Sequence, residues 1–226
     1  MKSIFVAIDT PDLERARHVA SQVSARAGGV KLGLEFFCAN GPAGVHEIAA
    51  LGLPIFLDLK LHDIPNTVAR AVESAGRFGV RMLTIHLSGG SEMIRAATTA
   101  RQKDLLLLGV TVLTSSTEQT LREIGITDTV EDQVIRLAKL GAAAGIDGVV
   151  ASPHEIKILR REFGDRIKIA VQGIRPRWAE PGDQKRFLTP REAYEAGADY
   201  IGIGRPITGH AHPREAVARI LEELSN

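Results

Sequence analysis

PIFLDLKLHDIPNTVARAVESAGRFGVRMLTIHL, residues 54–87, contains two apolar runs joined by a stretch of helical periodicity. PIFLDLK and MLTIHL have the length and composition of buried strands, and VARAVESAGRFG between them repeats its apolar residues at helical spacing. Pro65 suits a first helical position, so the chain is expected to turn from strand to helix there. Near-continuous apolar strands connected by a helix imply parallel pairing, with both faces of the sheet covered.

The same alternation extends in both directions. SIFVAID and GGVKLGLE precede the unit, and LLLLGVTVL, DGVVAS, KIAVQGI and DYIGIG follow it, which makes eight runs. LERARHVASQVSARA, VEDQVIRLAKLGAAAG and HEIKILRREFG supply further helical stretches. Eight strand–helix units in 226 residues, close to the usual ~250, favour an α/β fold of the closed (β/α)8 TIM-barrel type over an open doubly wound sheet. No linker-like or low-complexity segment interrupts the pattern, so one domain over residues 1–226 is expected.

Composition narrows the function. The chain is 44% hydrophobic and 24% charged, and 28 Lys and Arg against 27 Asp and Glu leave a net charge of +1. No global field would draw it to nucleic acid or an anionic membrane, so any anion must be gripped locally. Aromatics make up 4% and the basic residues are scattered, which offers no stacking surface for nucleic acid. MKSIFVAIDT is too briefly apolar for a signal peptide or a membrane span, and a cytoplasmic protein is expected. Cys38 is the single cysteine, which rules out an internal disulfide and leads us to expect a small apolar filler.

In a barrel of this kind, active sites lie at the C-terminal ends of the strands. The polar residues fall there. Asp9 ends the first run; Lys31 and Glu35 lie in or after the second; Asp58, Lys60 and Asp63 close the third; and His86 closes the fourth. Thr114 and Ser115 follow the fifth, Ser152 the sixth, Gln172 and Arg175 the seventh, and Arg205 the eighth.

Strand alternation puts Asp58 and Lys60 on one face, so the lysine should stand beside a carboxylate and stay protonated. This disfavours a Schiff-base amine and favours a proton donor or fixed cation. The spacing leaves the direction of Asp63 open, its own site and a partner subunit being the two destinations. A salt bridge that merely plugs a strand end is the plainer alternative, but it leaves the other polar rim positions unexplained. ADYIGIGRPIT, residues 198–208, joins a glycine-bearing last strand to Arg205, and GIRPRWAEPGDQKR, residues 173–186, is a long polar loop. Loops after the seventh and eighth strands commonly bind phosphate, which makes Gln184 and Arg205 candidates. His62 and His86 lack metal-ligand spacing, and dinucleotide, P-loop and serine-hydrolase motifs are absent.

Asp58-x-Lys60-x-x-Asp63-Ile64-Pro65-Asn66-Thr67 resembles the signature of the orotidine 5'-phosphate decarboxylase family. The resemblance continues in VAIDT, VKLGLEFF, TIHLSGG, VTVLTS, GIRP with DQKR, and GADYIGIGRPIT, and so spans nearly the whole chain. It implies a cofactor-free, metal-free conversion of orotidine 5'-monophosphate to uridine 5'-monophosphate in a homodimer. Asp9 would bind a ribose hydroxyl, Lys31 would orient the ribose and Asp58, Asp58 would face the substrate carboxylate, and Lys60 would protonate C6. Asp63, Ile64 and Thr67 would serve the partner's site. Thr114 would meet the pyrimidine edge, and Gln184 and Arg205 the phosphate, with Arg175 and Gly204 also among the substrate-binding positions. One departure is visible: VQGIRP stands where family members often read TPGIRP, so Gln172 replaces a proline. Magnesium-dependent sugar-phosphate lyases of the same superfamily share the Asp, Lys, Asp pattern and remain an alternative, as does a non-catalytic phosphate-binding barrel.

Overall fold

A computed structural model of the chain describes residues 3–179 and 187–225. The strands are β1 (Ser3–Ile8), β2 (Gly29–Leu32), β3 (Ile55–Leu61), β4 (Met82–His86), β5 (Leu106–Val110), β6 (Gly148–Ala151), β7 (Lys168–Val171) and β8 (Tyr200–Ile203). They pair in chain order and close into a barrel, with β1 registered against both β2 and β8. Every registered pair is parallel. The expected TIM barrel is therefore the observed one, and the open sheet is not.

Between the strands run α1 (Leu13–Val23), α2 (Leu34–Ala49), α3 (Pro65–Gly76), α4 (Gly90–Ala100), α5 (Glu118–Glu123), α6 (Val130–Ala143), α7 (Ile156–Phe163) and α8 (Pro190–Ala196); α9 (Arg205–Thr208) and α10 (Pro213–Ser225) follow β8. Several starts are written locally. Asp12, Thr129 and Thr189 accept backbone N–H bonds as N-caps of α1, α6 and α8, and Pro65 opens α3 as expected. In α2 the helical path breaks at Gly41, whose φ of 57° precedes Pro42.

Two apolar compartments hold the barrel. The larger lies between strands and helices and includes Ile4, Val6, Ile8, Leu57, Leu83 and Ile169, the outward residues of their strands. The smaller fills the barrel interior with Phe5, Phe56, Met82, Leu108, Val110, Val150 and Ala170. Phe5 meets Phe56 and Tyr200 edge-on at 6.0 Å each. Room for these rings comes from β2: a Cβ at Gly29 would sit 2.4 Å from the Phe5 ring and 2.3 Å from the Pro54 carbonyl oxygen. Because side chains repeat with period two, the interior floor predicts what stands above it. Gly29 leads to Lys31, Phe56 to Asp58, Met82 to Thr84 and Ala170 to Gln172.

Some strands are shorter than their apolar runs. The fifth ends at Val110 rather than Leu113, so Thr114 and Ser115 sit in the exposed loop beyond it. The seventh ends at Val171, and an isolated bridge between Ile174 and Leu188 pins the base of the following loop. Cys38 is exposed on α2, not packed as a filler, because it lies on the solvent side of a helix that buries Phe36 and Val45. Among the described residues no helix is long and apolar enough to cross a membrane.

Candidate active site

Asp58 sits at the centre of the barrel mouth, only 1% exposed. Its Oδ1 accepts from Thr84 Oγ1 at 2.9 Å. Its Oδ2 accepts from Lys60 Nζ at 2.8 Å and from Gln172 Nε2 at 3.1 Å, and forms an ion pair with Lys31 Nζ at 3.5 Å. Lys31 in turn reaches Asp9 Oδ1 at 3.5 Å. Asp9, Lys31, Asp58 and Lys60 thus alternate in sign along one chain of contacts. Burial by itself would raise the Asp58 pKa, but the charges of Lys31 and Lys60, with hydrogen bonds from Lys60 and Gln172, hold it below the usual carboxylate value.

Lys60 does reach Asp58, though not by simple strand alternation. Leu57 pairs with Leu83 while Leu61 pairs with Ile85, so β3 carries extra residues across that interval and bulges. Lys60 takes up the bulge with a φ of 50°, the only positive value at a non-glycine among the described residues. Such a conformation costs on the order of 1 kcal/mol or more and persists only where the surroundings enforce it. Thr84 enforces it here, because its hydroxyl oxygen accepts the Lys60 backbone N–H at 2.8 Å while donating to Asp58. One buried hydroxyl therefore anchors both the carboxylate and the lysine's backbone. The bulge re-aims Lys60, whose side chain keeps 25% exposure at the mouth while Lys31 keeps 6%.

The remaining expected residues fall into two groups. Asp63, Ile64 and Thr67 are exposed at and just before the start of α3. Asp63 accepts from the Ile64 backbone N–H at 2.7 Å and, among the described residues, forms no ion pair. Ile64 is 67% exposed. Arg205 opens α9 on the surface beside Gly204, whereas Arg175 is buried beyond β7, its backbone N–H bonded to the Leu188 carbonyl. Gln184 lies outside the described residues.

Two residues that sequence reasoning did not assign belong to the cluster. Thr84 lies within MLTIHL, and its place two residues above the interior Met82 is the signal that identifies it. Sequence reasoning places Gln172 on the rim and notes it as a departure from a familiar motif but gives it no role, and its position two residues above Ala170 aims it inward.

His86, above Thr84 on β4, lies 5.6 Å from the ring of His62. Burial, His62 and Lys60 lower its pKa against the opposing pull of Asp58, which favours the neutral imidazole. Among the described residues no three His, Cys, Asp or Glu side chains gather as a metal site.

This arrangement presents a fixed ammonium at the open end of a buried charge network, suited to stabilising negative charge and delivering a proton. In comparison with protein families, residues 2–220 match the Orotidine 5'-phosphate decarboxylase / HUMPS family. The chain belongs to this family. An orotidine 5'-phosphate decarboxylase from Paramagnetospirillum magneticum is 49% identical over 98% of this chain and 97% of that relative. One from Sphingopyxis alaskensis is 49% identical over 96% of each. Among solved structures, the orotidine 5'-phosphate decarboxylase of Lactobacillus acidophilus matches with a TM-score of 0.86 and 33% identity over 100% of both chains. Membership in the decarboxylase family thus rests on sequence and fold together.

Proposed function

We propose that the protein decarboxylates orotidine 5'-monophosphate to uridine 5'-monophosphate, the carboxy-lyase step of pyrimidine biosynthesis, with Lys60 protonating C6. The observation that carries this is the ammonium of Lys60 held 2.8 Å from a buried carboxylate at the barrel mouth. Loss of carbon dioxide breaks the bond from C6 to the carboxyl carbon and leaves its electron pair on C6, where the ring delocalises it poorly. A preorganised cation gains more from that growing charge than from the ground state, which is the condition for accelerating the step. Lys60 then gives up an N–H proton to C6 and becomes a neutral amine, to be reprotonated from water. Asp58 fixes the position of Lys60 in the resting site through their 2.8 Å contact.

Asp9 and Lys31 bind the ribose, and Lys31 also steadies Asp58. Thr114 contacts the pyrimidine edge from the loop after β5. Arg205 and Gln184 bind the phosphate, with Arg175 and Gly204 among the other substrate-binding positions, and the loop after β7 closes over substrate. Binding energy from that remote group helps drive closure and water exclusion, so a substrate lacking phosphate loses turnover as well as affinity. The working unit is a cytoplasmic homodimer of single-domain chains. Asp63, Ile64 and Thr67, exposed at the rim, complete the partner's site, and apolar Ile64 is shielded at the interface.

The magnesium-dependent lyase alternative gains no support from the relatives above, all named as decarboxylases. It also fits the donor arrangement poorly, since both oxygens of Asp58 already accept from Thr84, Lys60 and Gln172. The test is the absorbance change on adding orotidine 5'-monophosphate to purified protein in excess chelator, with Lys60→Ala alongside. Conversion by wild type alone supports the proposal; failure of both proteins, with activity appearing on magnesium and a sugar phosphate, would sink it.

A further inference from the structure

β3 and β7 stand on opposite sides of the eight-stranded barrel, yet Gln172, just past the end of β7, reaches Asp58 near the end of β3. On its way the side chain passes the neighbouring strand at a glycine. Gly202 of β8 lies one step beyond the registered pair Val171 and Ile201, and a Cβ built on it would already be 3.4 Å from Gln172 Cγ.

The donors around Asp58 differ in kind. Lys31 and Lys60 are mobile-headed point charges that share Oδ2. Thr84 holds only Oδ1. With Thr84 alone, the carboxylate could turn about its last side-chain bond, and Lys60 would follow the moving oxygen. A planar amide donating to Oδ2 at 3.1 Å ties down the second oxygen without adding a third cation.

We infer that Gln172 is a positioning residue for the decarboxylation: its amide, reaching across the barrel mouth, locks the Asp58 carboxylate so that Lys60 presents its ammonium in one orientation. The inference rests on the roles proposed above for Asp58 and Lys60. It also bears on the end of the cycle. Once Lys60 has given its proton to C6, the neutral amine no longer supports the Asp58 charge, and the Lys31 cation and the Thr84 and Gln172 donors remain. They keep Asp58 an anion, poised to favour reprotonation of Lys60 by water.

Two variants of nearly the same size separate this role from simple packing. Gln172→Met keeps the length and loses the donor; Gln172→Glu keeps the shape and sets an acceptor against Asp58. Gln172→Met should lower kcat about tenfold, the scale of one hydrogen bond to a charged group, with KM little changed. The acidic limb of its kcat profile should move to higher pH, and Gln172→Glu should move it further, since two adjacent carboxylates resist joint ionisation.

A second measurement does not depend on turnover. The side-chain carboxyl 13C resonance of Asp58, assigned by its loss in Asp58→Asn, should titrate at higher pH in Gln172→Met than in wild type. If wild type converts no orotidine 5'-monophosphate, the proposed function fails, and the carboxyl titration still judges whether Gln172 holds Asp58. Wild-type values of kcat, acidic limb and Asp58 titration in both variants would overturn the positioning role. So would a lowered melting temperature accompanied by unchanged pH behaviour.

Discussion

At the scale of the residue, the site depends on satisfying one buried anion. Asp58 is almost fully enclosed, and an unpaired charge there would be strongly destabilising. Thr84 shows how tightly carboxylate and lysine are joined, because its hydroxyl serves Asp58 Oδ1 and the strained Lys60 backbone together. Thr84→Val, of similar shape, removes the partner of Asp58 Oδ1 and of the Lys60 N–H. It should cost about 2 kcal/mol in urea unfolding and lower kcat, whereas Thr84→Ser should retain most of both. A Thr84→Val enzyme with normal turnover would show that the bulge is held by other contacts. Lys60→Ala should reduce kcat by on the order of a thousandfold, as loss of a preorganised transition-state partner does. Steady-state assays over a range of substrate concentrations would separate that loss from weakened binding.

Elements carry the site through what they leave out as much as through what they supply. β2 is glycine at the level where Phe5 projects, and the ring fills the space that a side chain would need. Gly29→Ala should destabilise the barrel by roughly 1–3 kcal/mol through overpacking, read as a lower denaturation midpoint. After β6, a short 3-10 turn at Pro153–Glu155 is closed by a capping box in which the Glu155 carboxylate accepts the Ser152 N–H at 2.8 Å. Burial raises the Glu155 pKa to about 7, against the Ser152 hydrogen bond and with Glu131 adding repulsion. Raised above its unfolded value, this group stabilises the fold fully below the unfolded pKa, and that contribution is lost as pH rises through about 7. Glu155→Gln keeps an acceptor for Ser152 but carries no charge. Relative to wild type it should gain stability at about pH 8 compared with about pH 5, by up to about 3 kcal/mol. A difference independent of pH would mean that Glu155 ionises as an ordinary carboxyl.

For the whole molecule, the prediction concerns the assembly. Asp63 lies five positions from Asp58 in the chain, yet it is exposed and its carboxylate accepts from the Ile64 N–H. If it completes a partner's site, Lys60→Ala and Asp63→Ala chains, each impaired alone, should regain activity when dissociated together and reassembled. Random mixing places both wild-type residues in one of the two sites of each mixed dimer, so about a quarter of wild-type activity is expected. No recovery in mixtures shown by mass spectrometry to contain mixed dimers would remove Asp63 from the partner's site.

The alternation of apolar runs with helical stretches favoured a closed barrel over an open sheet and placed Asp9, Lys31, Asp58, Lys60 and Arg205 toward one rim, because periods of two and of about 3.6 are local properties of the chain. Resemblance in motif order then carried the family. Strand ends were less legible: apolar residues continue past Val110 and Val171 into loops, so Thr114 and Arg175 lie farther from their strands than their runs suggested. The tertiary structure alone decided which rim residues meet. Lys31 on β2, Lys60 on β3, Thr84 on β4 and Gln172 beyond β7 converge on one carboxylate although up to 114 positions separate them from it. Their convergence depends on barrel closure and on the register slip that turns Lys60. These are relations between strands, and no periodicity within one strand encodes them.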